Sequence, residues 1–117
     1  MANDDCIFCK IAKGEIPADI VYKDDNFIGF LDVKPKAPGH TLIIQKKHFR
    51  NILEMPSTLG NELLDAIKDV ALKLIKDGRG EGVNIIFNTE PAAGQVVFHV
   101  HCHVIPRKKG DGLRGIA

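Results

Sequence analysis

Residues 99–103 read His-Val-His-Cys-His, and strict alternation of this kind leaves the backbone little choice. In a strand, successive side chains project from opposite faces. His99, His101 and His103 then share one face at about 6.5–7 Å per pair, while Val100, Cys102 and Val104 turn the other way, toward a core. A lone histidine on a strand is ordinarily a hydrogen-bonded surface residue. Three in alternation gain nothing in packing over Thr or Val, and they repel one another when charged. Two chemical uses fit the row. One is ligation of a metal such as Zn or Fe. The other is nucleophilic or acid–base work by an imidazole that is largely neutral near pH 7. The neighbours favour the second: Gly94-Gln95 and Asn88 offer close backbone approach and neutral amide donors, which suit a phosphoryl group, and no carboxylate stands between Glu90 and Asp111.

The remaining chain supplies what must surround such a strand. Ile7, Phe8 and Ile11 have helical spacing in 5–13, with Gly14 as a stop. Residues 20–23 and 27–31 read as two strands of a hairpin around Asp24-Asp25-Asn26. Residues 34–40, with two prolines and a glycine, form a loop, and 41–45 a third strand. Residues 57–77 carry the clearest helix, with Leu59, Leu63, Leu64, Ile67, Val70, Ala71, Leu74 and Ile75 on one stripe. Ser57 is its expected N-cap and Gly78 its C-cap. Residues 83–88 form a fourth strand, 89–95 a turn, and 96–105 a fifth strand stopped by Pro106. The expected fold is α+β: a five-stranded antiparallel sheet with one long helix and a short N-terminal helix. Residues 1–117 read as one domain, with 1–4 and about 110–117 as flexible ends.

Composition removes several classes. Apolar residues at 44% and charged residues at 26% are globular values. Sixteen Lys plus Arg against fifteen Asp plus Glu give +1, which speaks against a nucleic-acid coat or a charge-driven membrane role. No apolar stretch approaches the roughly 20 residues of a membrane span. The N-terminus lacks signal-peptide features, so the chain reads as cytoplasmic with reduced thiols. Three cysteines cannot form a closed disulfide framework, and Cys6-x-x-Cys9 has zinc-knuckle or redox spacing. The even net charge hides a run from 33 to 53 with five bases (Lys34, Lys36, Lys46, Lys47, Arg50) and no acid. That run is either solvated loop surface or an attraction for an anionic ligand.

The triad run preceded by Ala93-Gly94-Gln95 resembles the histidine triad (HIT) superfamily of nucleotide hydrolases and transferases. Asp5-Cys6-Ile7-Phe8-Cys9-Lys10-Ile11, Glu15-Ile16-Pro17-Ala18, Phe30-Leu31-Asp32-Val33, Ala37-Pro38-Gly39-His40-Thr41-Leu42 and Pro106-Arg107-Lys108 match the family in its order. The likeness runs from residue 5 to about 112 and is greatest to compact prokaryotic Hint-type purine nucleotide-binding proteins. It implies that His101 is a nucleophile attacking the α-phosphorus of purine nucleoside phosphoramidates or adenylates. A nucleotidyl-histidine would form and then be hydrolysed. The His99 carbonyl would take the N–H of His101, His103 would bond phosphate or leaving-group oxygens, Gln95 would sit near the scissile oxygen, and His40 would support the triad.

The same likeness implies a nucleotide site. Ile7, Phe8 and Phe30 would sandwich the purine, Asp32 would bind the ribose with Val33 beside it, and Asn88, Gly94, Gln95 and Val96 would lie along the phosphate with His101 and His103. Ile7 and Phe30 also fit a plain core role, and Asp32 also fits a turn cap before Pro35. It further implies structural zinc held by Cys6, Cys9, His48 and His99, no metal required for the chemistry, and a homodimer joined through the long helix and the strand after it. Two departures bear on substrate. Val96 stands where Hint-type members commonly carry a serine hydroxyl, and Pro-Arg-Lys-Lys-Gly-Asp looks like the Fhit-type branch. The alternatives are therefore a dinucleoside polyphosphate hydrolase or a nucleotide-binding interaction module.

Overall fold

The computed structural model describes residues 5–113. The expectation of flexible ends at 1–4 and about 110–117 lies outside the described residues except for 110–113, where Asp111 and Leu113 are hydrogen-bonded to Arg107. Helix α1 (Ile7–Ala12) precedes strands β1 (Ile20–Lys23), β2 (Phe27–Leu31) and β3 (Thr41–Gln45). Helix α2 (Gly60–Lys76), β4 (Gly82–Ile86) and β5 (His101–Arg107) follow. The strands form one antiparallel sheet in the order β1-β2-β3-β5-β4. The last strand in sequence therefore lies in the interior, hydrogen-bonded on both sides, and β4 forms an edge.

Side-chain alternation sorts the sheet into two faces. Phe27, Ile43, Cys102 and Val104 pack against Ala66, Ile67, Val70 and Leu74 of α2. Ile28, Phe30, Leu42 and Ile44 pack against Phe8 and Ile11 of α1. Because both faces are covered, β3 is buried along its whole length, with Leu42, Ile43 and Ile44 as an unbroken apolar run between Thr41 and Gln45. His101 pairs with Ile44 and His103 with Leu42, which places both histidines on the α1 face.

Several boundaries differ from the sequence expectation. The long helix is entered through a 3-10 turn, Ser57–Leu59, and Leu59 takes the N-cap position without a side-chain bond; Ser57 does not cap it. Its other end follows expectation. Gly78 at φ +75 lets its own N–H reach the Ile75 carbonyl and that of Arg79 reach Leu74, at 3.1 and 2.9 Å, the Schellman pattern. Pro106 does not stop the last strand. The Arg107 carbonyl accepts from the Glu81 N–H at 2.8 Å, so Pro106, one residue earlier, turns its N–H-less side to where β3 pairing has already ended at Val104. The strand also begins late, at His101 and not at Val96. Ahead of it, Val100 donates to the Phe49 carbonyl at 2.7 Å, outside the sheet. Likewise β4 ends at Ile86, so Asn88 falls beyond the ladder.

Past β5 the chain is tied back. Arg107 donates to both oxygens of Asp111, at 2.8 and 3.0 Å, and to the Leu113 carbonyl at 3.2 Å. No helix among the described residues is long and apolar enough to cross a membrane.

Candidate functional site

The β5 histidines open onto a cleft of about 1000 Å³ between α1 and the sheet. Phe8 and Phe30 meet edge-to-face, with ring centroids 5.6 Å apart, and Phe8 stands in the same way 5.1 Å from His101. Ile11, Ile16, Pro17, Ala18, Leu42 and Val97 extend this apolar wall. Such a slot accepts a flat ring. Ile7, Asp32, Val33, Asn88, Gly94, Val96 and His103 also line the cleft. Val33 and Val96 are 93 % and 82 % exposed, so each stands at the rim.

The proton on each imidazole follows from its partner. The His99 carbonyl lies 2.7 Å from His101 Nδ1. A carbonyl only accepts, so Nδ1 carries the hydrogen and Nε2 keeps a lone pair. Similarly, the Lys36 N–H donates to His40 Nδ1 at 3.1 Å, which puts the hydrogen of His40 on Nε2. That atom lies 3.0 Å from His103 Nδ1 and 3.6 Å from Asp32 Oδ2. His103 Nδ1 therefore accepts and its Nε2 donates. A bare nitrogen on His101 and an N–H on His103 thus stand side by side, with ring centroids 5.1 Å apart. Burial holds both rings neutral. It is the largest cause of the lowered pKa of His101 and of His103, the latter brought down to about 4 with help from His101 and His40. Burial also lowers His40. Neutral rings are what a nucleophile and its hydrogen-bonding neighbour require.

His99 departs from the row expected on one strand face. It precedes β5, is 0 % exposed, and is absent from the cleft lining. Its Nε2 donates to the Gln45 carbonyl at 2.6 Å, leaving Nδ1 as a lone pair 3.3 Å from Cys6 Sγ and 3.4 Å from Cys9 Sγ. His48 Nδ1 lies 3.3 Å from Cys9 Sγ. The four ligand atoms all fall within 4.8 Å of one another. A tetrahedral zinc with two S and two N ligands needs edges of about 3.3–3.8 Å, so the donor set can hold a metal ion. Burial pushes the Cys6 thiol up, so an incoming cation must displace that proton. Cys102 is buried on the opposite face, apart from this pair.

Gln95 also departs from expectation. It is 3 % exposed and does not line the cleft. Its Nε2 donates to the carbonyls of Arg50 and Val97, at 2.7 and 3.1 Å. Its Oε1 accepts from the Glu90 N–H at 2.8 Å and from Asn51 Nδ2 at 3.3 Å. With every capacity spent, the amide braces the loop that carries Gly94 and Val96. Glu90 in that loop sits at φ +75, a costly conformation for a non-glycine residue. Arg50 holds it with two bonds, at 2.8 and 3.0 Å, and Asn51 with one at 2.6 Å. The sequence pointed to neither Asn51 nor Glu90 for this duty, since glutamate does not signal a positive φ and Asn51 meets Glu90 from 39 residues away.

The Asp32–His40 loop is equally fixed. The Asp32 N–H donates to the His40 carbonyl at 2.9 Å, and Asp32 Oδ1 accepts from the Lys34 N–H at 3.0 Å. Asp32 is therefore both a turn cap and a cleft residue. Gly39 at φ +96 packs so closely under Leu74 that a Cβ would lie 3.1 Å from its Cδ2, so a glycine is needed to deliver His40.

Comparison with known proteins agrees with this arrangement. An uncharacterised HIT-like protein of Methanocaldococcus jannaschii is 48% identical over 109 residues, 92% of this chain and 82% of the relative. Adenylylsulfatase HINT3 of Arabidopsis thaliana is 38% identical over 111 residues, 95% of this chain and 56% of the plant protein. The crystal structure of a Zn-bound histidine triad family protein from Mycobacterium smegmatis superposes with a TM-score of 0.88 at 38% identity, covering 93% of this chain and 79% of that one. The HIT domain model matches residues 13–110. With that span, the shared fold and two neutral histidines set on a central strand, the chain belongs to the HIT family.

Proposed function

We propose that the protein is a nucleotide hydrolase or nucleotidyl transferase that attacks the α-phosphate of purine nucleoside phosphoramidates or adenylates. One observation carries the reading: the His99 carbonyl fixes the hydrogen of His101 on Nδ1, so the free lone pair on Nε2 is available to a phosphorus in the cleft. The base would sit between Ile7, Phe8 and Phe30, with the ribose hydroxyls on Asp32 and the phosphate along Asn88, Gly94 and the Val96 N–H. In the first step a His101 Nε2–P bond forms and the bond to the leaving group breaks. The electron pair departs with that group, and His103 Nε2–H bonds the departing atom or gives it a proton where it leaves as an amine. In the second step water attacks phosphorus, the P–N pair returns to Nε2, and one water proton passes to His103 or to solvent. Positioning and donors aimed at developing charge supply the catalysis. Gln95 and His40 act as positioning residues.

The relative named adenylylsulfatase, 38% identical, supports a leaving group on an adenylate. The Cys6, Cys9, His48 and His99 cluster supports structural Zn²⁺, which would tie α1 to the segment before β5. A homodimer through α2 and β4 is supported by the exposed Leu64, Leu72 and Ile75 of α2, the exposed Ile85 of β4 and the free edge of β4. A rapid-quench assay over adenosine phosphoramidate, adenosine 5′-phosphosulfate and diadenosine polyphosphates tests the function, with intact-mass detection of a nucleotidyl adduct. Turnover and an adduct, both lost in His101→Ala, are expected. Turnover retained in that variant overturns the mechanism.

A further inference from the structure

Two cations stand at the exposed rim of the cleft with no ion-pair partner among the described residues. Lys34 and Lys36 both line it, and neither makes an ion pair or a side-chain hydrogen bond among the described residues. Their backbone is not free to drift. The Lys34 N–H is bonded to Asp32 Oδ1 and the Lys36 N–H to His40 Nδ1, at 3.0 and 3.1 Å. The two side chains thus start from fixed points on the loop that delivers His40 to His103. Two carboxylates share this cleft, Asp19 and Asp32, but neither is ion-paired to either lysine among the described residues, and Asp32 turns its oxygens to the Lys34 N–H and to His40. The charge of Lys36 reaches the rings behind it, adding to the lowered pKa of His40 and His103.

We infer that Lys36, with Lys34 beside it, forms a cationic subsite for the leaving group, so that the cleft favours nucleotides whose α-phosphate carries a second anionic group over those carrying a neutral amine. This rests on the nucleotide-hydrolase reading and adds a substrate preference to it. An amine must take a proton as it departs, and the His103 N–H supplies one. A sulfate or phosphate departs with the P–O electron pair and no proton, so a cation within reach of the bond stabilises the charge that develops. The two chemistries therefore depend differently on Lys36.

The experiment is the ratio of kcat/KM for adenosine 5′-phosphosulfate, and separately for diadenosine triphosphate, to that for adenosine phosphoramidate. It is measured in the wild type, Lys36→Gln, Lys36→Glu and Lys34→Gln/Lys36→Gln. The ratio is expected to fall about tenfold in Lys36→Gln and further on charge reversal, as loss of a charge-assisted contact implies. A drop with the triphosphate but not the phosphosulfate limits the subsite to phosphate; ratios unchanged within about twofold in every variant overturn it. If the wild type turns over none of the three, the hydrolase reading fails and the subsite is read from binding. Calorimetry then compares ADP with AMP, where a wild-type preference for ADP that disappears in Lys36→Gln upholds the cationic subsite. Equal affinities in both proteins overturn it.

Discussion

The carbonyl oxygen of His99 sits 2.7 Å from Nδ1 of His101, and this one bond joins the Cys-His cluster to the histidine facing the cleft. The His99 side chain is held from the other direction by Cys6, Cys9 and the Gln45 carbonyl. Whatever fixes that ring fixes the acceptor that sets the tautomer of His101. Replacing His101 with Ala is expected to lower kcat by about 10⁴-fold or more, as loss of a nucleophile does, with an unchanged far-UV circular dichroism spectrum. Single-turnover kinetics at saturating nucleotide checks it.

Cys6→Ser and Cys9→Ser are expected to lower bound zinc below one per chain and to lower Tm by several degrees, because metal affinity contributes directly to folding. Activity should fall less than in His101→Ala, since the His99 carbonyl is still present. Metal analysis with calorimetry decides it. Wild-type protein purified without zinc, yet melting at the same temperature as the zinc-loaded form, would refute the structural role.

His40→Ala removes the donor to His103 Nδ1 and leaves that lone pair buried. The hydrogen of His103 then has no fixed position. The expected loss in kcat/KM is about 10–100-fold for an amine leaving group, and smaller for a sulfate that needs no proton. A purely structural defect would slow both equally, so the comparison separates the two.

Gln95→Leu strips four hydrogen bonds from the Glu90 loop. Unsatisfied buried groups cost about 1–3 kcal/mol each, and some will find water, so a total of about 2–4 kcal/mol is expected from urea unfolding. KM should rise as well, because Gly94 and Val96 lose their support.

Stability should fall on acidification. Burial, then His101 and His40, lower the pKa of His103 from 6.5 to about 4; Lys36 acts in the same direction and Asp32 against it. Between those two values the unfolded chain binds the proton that the folded one refuses, so stability rises with pH through this window and levels off above it. Tm at pH 5 and pH 7.5 should differ less in His103→Gln than in the wild type; an equal difference would show that His103 does not contribute.

Much of this was legible in the chain. Alternation in 99–103 placed His101 and His103 on one face and Cys102 and Val104 in the core, because pleating is local. The apolar stripe of α2 and the Gly78 stop were visible for the same reason. Alternation alone did not give the fate of His99, which the family resemblance set beside Cys6, Cys9 and His48, because it depends on Val100 bonding to Phe49, some fifty residues away in sequence. Gln95 misled in a related way: a neutral amide beside a glycine suits a phosphate, but its bonds go to Arg50 and Asn51, which only the fold brings near. Pro106 stayed in the strand because β3 is shorter than β5, a matter of sheet order.

His101 is the first residue of β5, and that strand is paired on both sides. In amide hydrogen exchange, strands flanked by two neighbours open only with the whole molecule, while unpaired segments open locally. His103 lies within the doubly paired stretch, opposite both Leu42 and Ile86. His99 lies outside it, and its ring is held by cluster contacts and the Gln45 carbonyl. His101 therefore stands on a seam between a globally protected ladder and a segment held by the Cys-His cluster. Deuterium uptake at residues 97–100 should respond to a chelator while that at 102–105 does not.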